Sequence, residues 1–328
     1  MRKTICTELA KAAKHLDLTK GLDTAALDAL TRPCCEANIS ALALTVRGVH
    51  PVRDHQRLQL EIAKRLIDRC GYDTVAVEDL SATVDALDVS LNSGRGDVST
   101  EWEALWPALR TQEIYELLRW IRLRNQSDHR PPLRLIGIKR HASTPSDRVD
   151  QEFSRSLLDC VARGAKIVYF AGVAHAARSQ VRVTGIGEGV DHQPAGSSLS
   201  SALGSAYRAI AFTVGSVTGV SNVPPAGSSL QEAVLSAVSS RPYWLDFRSQ
   251  SIPRRCRRWL ELPAKLRCVG PRFDATHADS YAVHVPSLIE AFDGLVHFAV
   301  AEAAEYLKAP TALLVEKQES GAVSSHFC

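Results

Sequence analysis

Two histidines and a glutamate of this chain stand beside apolar runs, in positions where they could act together. His50 comes four residues after one run, Glu78 ends a second, and His175 comes four residues after a third. If the runs are parallel strands, their carboxyl ends meet at one sheet edge, where open α/β sheets bind ligands. Imidazole titrates near neutral pH, and a carboxylate can orient it. We therefore predict a catalytic set of His50, Glu78 and His175 there, in which a carboxylate orients an imidazole base.

Cationic side chains stand at the same strand ends. Arg47 follows the first run and Lys139 follows a fourth, and together they could hold a carboxylate or phosphate group. Zinc accepts the ligand types of His50, Glu78 and His175, but their spacing is not that of a zinc motif, so we expect no metal and no other cofactor. The chain also lacks the G-x-S-x-G motif of a serine nucleophile.

The elements that would position these residues are short runs rich in Val, Ile and Leu. Near-continuous apolar strands are buried on both faces, and helical segments between them indicate a parallel sheet covered by helices. The predicted fold class is α/β, with a mostly parallel central sheet flanked by helices. The predicted strands are the runs at 41–46, 74–78, 133–138, 166–171, 208–213, 243–247 and 294–299.

Helices with an apolar stripe separate these strands. In the first, Leu58, Ile62 and Leu66 recur every fourth residue, and Gly71 is placed to cap its end. Thr111 is placed to cap the start of a second helix. Because no linker interrupts the alternation, we expect one domain with three parts: a helical N-terminal extension at 1–40, the α/β domain at 41–300, and a C-terminal helix and loose tail at 301–328.

Composition places the chain among ordinary globular domains. It has 328 residues, 45% hydrophobic and 23% charged, with a net charge of +3, so nothing favours nucleic-acid or membrane binding. No run reaches the roughly 18 apolar residues that a membrane span needs. The N-terminus lacks a secretory signal, so we expect a cytoplasmic protein. The eight cysteines show no paired spacing and are expected to be free thiols.

An ordered series of segments resembles the erythromycin esterase family. Residues 44–78 resemble its opening block, in which a strand leads to a Gly-Glu-x-x-His turn, a helix and a strand ending in Glu. Residues 166–179 resemble the block that usually reads Ala-His-Asn-x-His. The resemblance implies metal-independent hydrolysis of an ester, such as the macrolactone of erythromycin, by a histidine that activates water. It matches that histidine to His50, a family carboxylate to Glu78 and the second histidine of the later block to His175.

Several positions depart from the family's pattern. Arg47 stands where the family has a glutamate, Gly172 where it has another histidine, and Lys139 where an aspartate is common. The family's helix arginine is replaced by Gln59, unless Arg57 serves instead, so the predicted substrate-binding set is Arg47, Arg57, Gln59 and Lys139. Cationic or neutral groups thus replace acidic and imidazole groups, which favours an anionic or peptidic substrate. The family's long helical insertion is replaced by a short loop and one helix, which predicts an open cleft.

Three functions agree with these features. The first is hydrolysis of an ester-like or acyl substrate. The second is a non-hydrolytic tailoring step, such as cyclisation or elimination, in the biosynthesis of a natural product such as an antibiotic. The third is a catalytically inactive binding or partner protein on the same fold. The expected partner is a small molecule or a peptide, and the basic run at 253–259 could also contact an acidic protein.

Other polar residues are expected to have structural positions. His55 and His141 are predicted to face solvent. Asp246 and Arg248 are predicted to form a salt bridge at the end of a late strand.

Overall fold

The computed structural model describes residues 2–18, 24–48, 50–93, 99–127, 131–144, 148–219, 223–270 and 272–307. Within these residues, no helix is both long and apolar enough to cross a membrane. The helices are α1 (Arg2–Ala12), α2 (Thr24–Thr31), α3 (Arg53–Cys70), α4 (Ser81–Ser93), α5 (Ser99–Ala104), α6 (Gln112–Asn125), α7 (Val149–Ala162), α8 (Val173–Ala176), α9 (Ala195–Leu203), α10 (Gln231–Leu235), α11 (Arg254–Leu260) and α12 (Leu288–Ala291).

The strands build a large sheet and a small one. They are β1 (Lys14–His15), β2 (Ile39–Leu44), β3 (Thr74–Leu80), β4 (Arg134–Lys139), β5 (Ile167–Gly172), β6 (Val181–Thr184), β7 (Val190–His192), β8 (Tyr207–Thr218), β9 (Tyr243–Asp246), β10 (Ala264–Arg267), β11 (Ala282–Val285) and β12 (Gly294–Glu302). The central sheet has the order β1-β9-β12-β8-β2-β5-β3-β4. Strands β12 to β4 are parallel, and β9 and β1 are antiparallel at one edge. The α/β class with a mostly parallel sheet is confirmed.

Each of the seven predicted apolar runs forms a strand of the central sheet. The reason is burial on both faces. Leu42 of β2 and Val168 of β5 pack into one hydrophobic cluster, whereas their neighbours Ala41 and Tyr169 pack into a second cluster. A strand with both faces covered needs apolar side chains at every position, which produces an uninterrupted run rather than an alternation.

The predicted helix signals also agree with the structure. Leu58, Ile62 and Leu66 of α3 are fully buried, and Gly71 caps the helix with a left-handed φ of 72°. At the start of α6, the Thr111 hydroxyl accepts a hydrogen bond from the backbone N–H of Ile114. Between β4 and β5 the residues that the structure describes form one helix, α7, as expected for a short loop and one helix in place of the long insertion.

A second sheet was not anticipated from the sequence. Strands β10-β11-β6-β7 pair antiparallel in that order, with β7 at an edge. These strands have three or four residues each, and β6 and β7 are largely exposed or half-buried. Strands of this kind leave no apolar run in the sequence. The sheet matters for function because it forms one wall of the cleft described below.

Residues near both ends of the described part of the chain join the central sheet. In the extension predicted at 1–40, Ile5 and Leu9 of α1 are buried in a core cluster, and β1 adds an edge strand to β9. At the other end, β12 continues to Glu302, beyond the domain boundary predicted at residue 300. Residues 308–328, which include most of the predicted C-terminal helix and tail, lie outside the described residues.

The prediction that all cysteines are free thiols is wrong for one pair. Cys35 and Cys70 form a disulfide across a sequence separation of 35 residues. The fold brings the turn after α2 next to the end of α3, and Lys166 donates hydrogen bonds to both cysteine carbonyls at 2.7 Å. The two cysteines are brought together by tertiary folding, so their spacing in the sequence does not predict the disulfide. Among the described cysteines, the others are free.

The prediction that His55 faces solvent is also wrong. His55 is fully buried against the rings of Phe212 and Phe298. Burial lowers its pKa to about 3, so the ring is neutral. His297 lies in the same core, and its two ring nitrogens are 2.9 Å from the Thr213 hydroxyl and 3.0 Å from the Ser236 hydroxyl.

The predicted salt bridge between Asp246 and Arg248 is not formed by their side chains. Asp246 accepts the backbone N–H of Arg248, whereas the Arg248 guanidinium binds Asp293 at 2.8 Å. Arg178 and Arg208 bind the same carboxylate oxygen. The Asp293 carboxylate therefore ties together the segments before β6, at the start of β8 and after β9.

Candidate active site

The carboxyl ends of β2 and β5 open on a large cleft, here called the main cleft. Its volume is about 900 Å³, and the second sheet forms its opposite wall. His175 and Arg47 line it from the central sheet, and His192 of β7 lines it from the second sheet. This is the position at which open parallel sheets bind ligands.

A second cavity of about 530 Å³, the side cleft, shares Arg47 and His175 with the main cleft. Glu78 and Lys139 also line it. Four of the predicted site residues are thus brought to one region, because β2, β3, β4 and β5 are neighbouring parallel strands that end at the same edge.

His175 contacts the carboxylate of Asp150, a residue that was not predicted to belong to the site. His175 lies in α8, directly after β5, and its Nδ1 is 3.0 and 2.9 Å from the two oxygens of Asp150. The ring also packs edge-on against Phe153. An ionised carboxylate only accepts hydrogen bonds, so Nδ1 carries the proton and Nε2 is the basic nitrogen. Among the described residues, nothing hydrogen-bonds to Nε2.

Asp150 is buried in the first turn of α7 and stays ionised. Its Oδ1 accepts the backbone N–H of Ala195 at 2.7 Å, and its Oδ2 lies 2.9 Å from Nε2 of His192. Burial alone would raise its pKa, but the neighbouring His175 and His192 outweigh burial and lower the pKa below the ordinary aspartate value. One fixed anion therefore faces two imidazoles.

Asp150, His175 and His192 also offer three donor atoms, all within 4.8 Å of one another, of types that a metal ion accepts. Donor atoms around a tetrahedral zinc ion, with bonds of about 2 Å, are roughly 3.3 Å apart. The nitrogen–oxygen contacts here are 2.9–3.0 Å, which is the range of hydrogen bonds. These distances are shorter than the spacing of zinc ligands, so the arrangement fits direct contacts of the two imidazoles with Asp150 better than a shared ion.

Asp150 and His192 were missed for different reasons. An acidic residue in the first turn of a helix is common, because it interacts favourably with the helix dipole. The position of Asp150 in the sequence therefore does not indicate a functional site. Asp150 follows β4 only after an intervening loop, so a search for polar residues directly at strand ends does not find it. His192 lies in a three-residue edge strand that leaves no signal in the sequence.

Glu78 is fully engaged by groups other than His50. Its carboxylate forms an ion pair with Arg47 and accepts hydrogen bonds from the Tyr169 hydroxyl at 2.7 Å and the Gly172 backbone N–H at 3.1 Å. Burial raises the pKa of Tyr169 well above its usual value, so that hydroxyl stays protonated as a donor. The Arg47 guanidinium also lies over the Trp106 ring. Glu78 therefore positions Arg47 in this structure.

The Arg47 side chain fills the space that a side chain at position 172 would occupy. A Cβ atom at Gly172 would lie 2.5 Å from both Cζ and Nε of Arg47, which is closer than van der Waals contact allows. Two departures from the family's pattern are therefore linked: the arginine takes the volume that a side chain at position 172 would need.

The remaining predicted residues lie elsewhere. His50 is half-buried with its ring 5.3 Å from that of Phe273, and it is not among the residues that line the two clefts. Burial lowers its pKa, so it is neutral at neutral pH. Arg57 is exposed on α3. Gln59 is buried, donates to the Leu42 carbonyl at 2.8 Å, and lines a small inner cavity beside Arg47.

Known proteins of this architecture include enzymes. The model of the erythromycin esterase family matches residues 67–152 and 139–301. Two solved structures, a succinoglycan biosynthesis protein and a Bacillus cereus protein, are 14% identical to this chain, with TM-scores of 0.72 and 0.70. Both comparisons cover 94% of this chain and 99% of theirs.

A mutant of the erythromycin esterase EreC, in its open conformation, is also 14% identical and has a TM-score of 0.61. That comparison covers 88% of this chain and 98% of EreC. No curated protein matches the chain. At this identity the structures establish the shared fold, whereas the family match extends over most of the chain. The chain therefore belongs to the erythromycin esterase family.

Proposed function

We propose that this chain is a hydrolase-type enzyme that cleaves an ester or related acyl bond in the main cleft, with His175 as its general base. The contact between Asp150 and His175 carries the proposal. A buried carboxylate holds Nδ1 of the ring, so the lone pair of Nε2 is available where the two clefts meet. An imidazole oriented in this way can activate a water molecule beside a substrate carbonyl.

The reaction follows from the protonation states. Nε2 of His175 takes a proton from water as the water oxygen attacks the carbonyl carbon. The resulting imidazolium is stabilised by Asp150, which is already ionised and does not move. A positioned base of this kind contributes about 10²–10⁴-fold in rate. The predicted base, His50, has no carboxylate partner among the described residues and does not line either cleft, which is why the proposal assigns the role to His175.

The cationic lining supports an anionic or peptidic acyl substrate. Lys139 is half-buried, lines the side cleft and has no ion-pair or hydrogen-bond partner within the described residues. Arg47, in contrast, is neutralised by Glu78, but its side chain lines both clefts. We assign Lys139 to the charge of the substrate and Arg47 to hydrogen bonding with the developing oxyanion.

The test is hydrolysis of a panel of esters, with and without a carboxylate on the acyl group, by the full chain and its variants. We expect His175→Ala and Asp150→Asn to lower kcat/KM by about 10²–10⁴-fold. His141→Ala, in an exposed loop, is the control. His50→Ala tests the residue that the family resemblance favours. Retention of activity in His175→Ala, or a loss that follows His50 alone, would contradict the assignment.

A second candidate is a non-hydrolytic proton-transfer step, such as cyclisation or elimination. The position of Arg47 favours it, because this arginine stands where the family's ester-cleaving pattern has a glutamate and fills the space beside Gly172, where that pattern has a histidine. Mass spectrometry separates the two functions: hydrolysis adds the mass of water across the products, whereas cyclisation or elimination does not. Full biological function of a variant lacking both His50 and His175 would instead indicate a binding protein.

A further inference from the structure

His192 is the second imidazole beside Asp150, and it has no role in the proton transfer by His175. Its Nε2 lies 2.9 Å from Asp150 Oδ2, although the angles are unfavourable for a hydrogen bond. Its ring centroid is 5.8 Å from that of His175, and the planes are inclined by 78°. Both rings line the main cleft, one from each sheet. A substrate that spans the cleft from one sheet to the other would contact both rings.

The single carboxylate of this cluster limits the roles that its two imidazoles can take together. One carboxylate stabilises one imidazolium nearby. Two imidazolium rings with centroids 5.8 Å apart would repel each other, and a single negative charge cannot compensate both. The two rings are therefore suited to opposite roles beside Asp150: one can accept a proton while the other donates one, so that a single positive charge faces the carboxylate.

We propose that His192 is the general acid of the reaction in which His175 is the base. This inference rests on the proposed function. His175 binds both carboxylate oxygens through Nδ1, so its Nε2 is free to accept a proton. His192 faces Asp150 through Nε2, so its Nδ1 is the atom that donates to the leaving group.

Protons and bonds balance in this scheme. A proton passes from water to Nε2 of His175 as the carbon–oxygen bond to water forms. The bond to the leaving oxygen breaks, and that oxygen takes the proton from Nδ1 of His192. One imidazolium faces one carboxylate before and after the step, so the net charge of the cluster does not change. Exchange with solvent then removes the proton from Nε2 of His175 and returns one to Nδ1 of His192, and the carboxylic acid product releases its own.

The dependence of rate on the leaving group tests this role. An aryl oxide leaves without protonation, whereas an alkyl oxide needs an acid. The probes are an aryl ester and an alkyl ester of the same acyl group. We expect His192→Gln to lower kcat/KM for the alkyl ester by about 10²-fold or more, with less than about 5-fold loss for the aryl ester. His175→Ala is expected to lose both.

His284→Gln is the matched control. His284 lies on β11 and lines a cavity with His192, but it does not contact Asp150. Thermal unfolding of each variant reports whether the second sheet is intact. Equal losses for both esters in His192→Gln, or no loss for either, would overturn the role of His192 while leaving His175 as the base. A wild-type chain that hydrolyses neither ester would overturn the proposed function itself.

Discussion

Arg47 owes its position to two contacts and to the absence of a side chain at position 172. Glu78 binds its guanidinium, Trp106 lies beneath it, and Gly172 leaves the space that it fills. A family pattern with a histidine at position 172 and a glutamate at position 47 would place different chemistry in the same volume. The two differences are therefore one change in the architecture of the site, and they should behave as a unit.

Gly172→Ala tests this coupling. The added methyl group would displace the Arg47 guanidinium and leave the buried Glu78 carboxylate without its cation, so we expect the free energy of unfolding to fall by about 2 kcal/mol. In an Arg47→Ala background the space is empty, and the same substitution should cost much less. Urea unfolding of the two single variants and the double variant measures the interaction energy. Additive effects would show that the two positions are independent.

The sequence predicted which strand ends meet but not where each side chain points. Glu78, His175, Arg47 and Lys139 were expected at one edge, and the structure places them around the two clefts, because neighbouring parallel strands fix that edge. His50 lies four residues beyond the first run, and its ring packs against Phe273, which is distant in the sequence. Such a direction depends on tertiary packing, which spacing does not contain.

Among the elements, α3 is joined to the chain before β2 by the disulfide between Cys35 and Cys70. Lys166, which precedes β5, donates to the carbonyls of both cysteines. The cross-link closes a loop of about 35 residues, which in the chain-entropy treatment stabilises the folded state by about 3–4 kcal/mol.

Reduction should therefore lower the stability of the wild-type chain. We expect dithiothreitol to reduce the free energy of unfolding by about 2–4 kcal/mol, measured by urea denaturation. A Cys35→Ser, Cys70→Ser double variant should show no response to the reductant. Cys160→Ser, which removes a free half-buried thiol on α7, is the control and should respond like the wild type. An unchanged wild-type curve in reductant would contradict a stabilising cross-link.

The two sheets show why one part of the fold could be predicted and another could not. Central strands such as β2 and β5 are covered on both faces, so their sequences are nearly continuous apolar runs. The second sheet has short strands, and it is held by antiparallel pairing between segments far apart in sequence, such as β6 with β11. Its contribution to the cleft, including His192, followed only from the three-dimensional arrangement.

For the molecule as a whole, buried ionisable groups act on stability in opposite directions. Burial lowers the pKa of His55 and His297 from 6.5 to about 3. Their stabilising contribution is complete above pH 6.5 and is lost as the pH falls, because the unfolded chain binds protons that the folded chain excludes. Glu232 behaves in the reverse way. Burial raises its pKa from 4.5 to about 7, so the folded chain holds a proton that the unfolded chain releases.

Glu232→Gln isolates that contribution. The Glu232 carboxyl accepts the backbone N–H of Arg267 at 2.9 Å, and an amide oxygen can accept the same bond without ionising. The Arg267 side chain donates instead to the carbonyls of Gly215 and Pro224, so it does not pair directly with the carboxylate.

The stability that protonated Glu232 contributes is complete below pH 4.5 and is lost as the pH rises through 7. We therefore expect the variant to match the wild type near pH 5 and to exceed its free energy of unfolding by up to about 3 kcal/mol at pH 8. The histidines act equally on both proteins and cancel in the difference, so a difference that stays constant from pH 5 to pH 8 would show that Glu232 is ionised in the folded chain throughout.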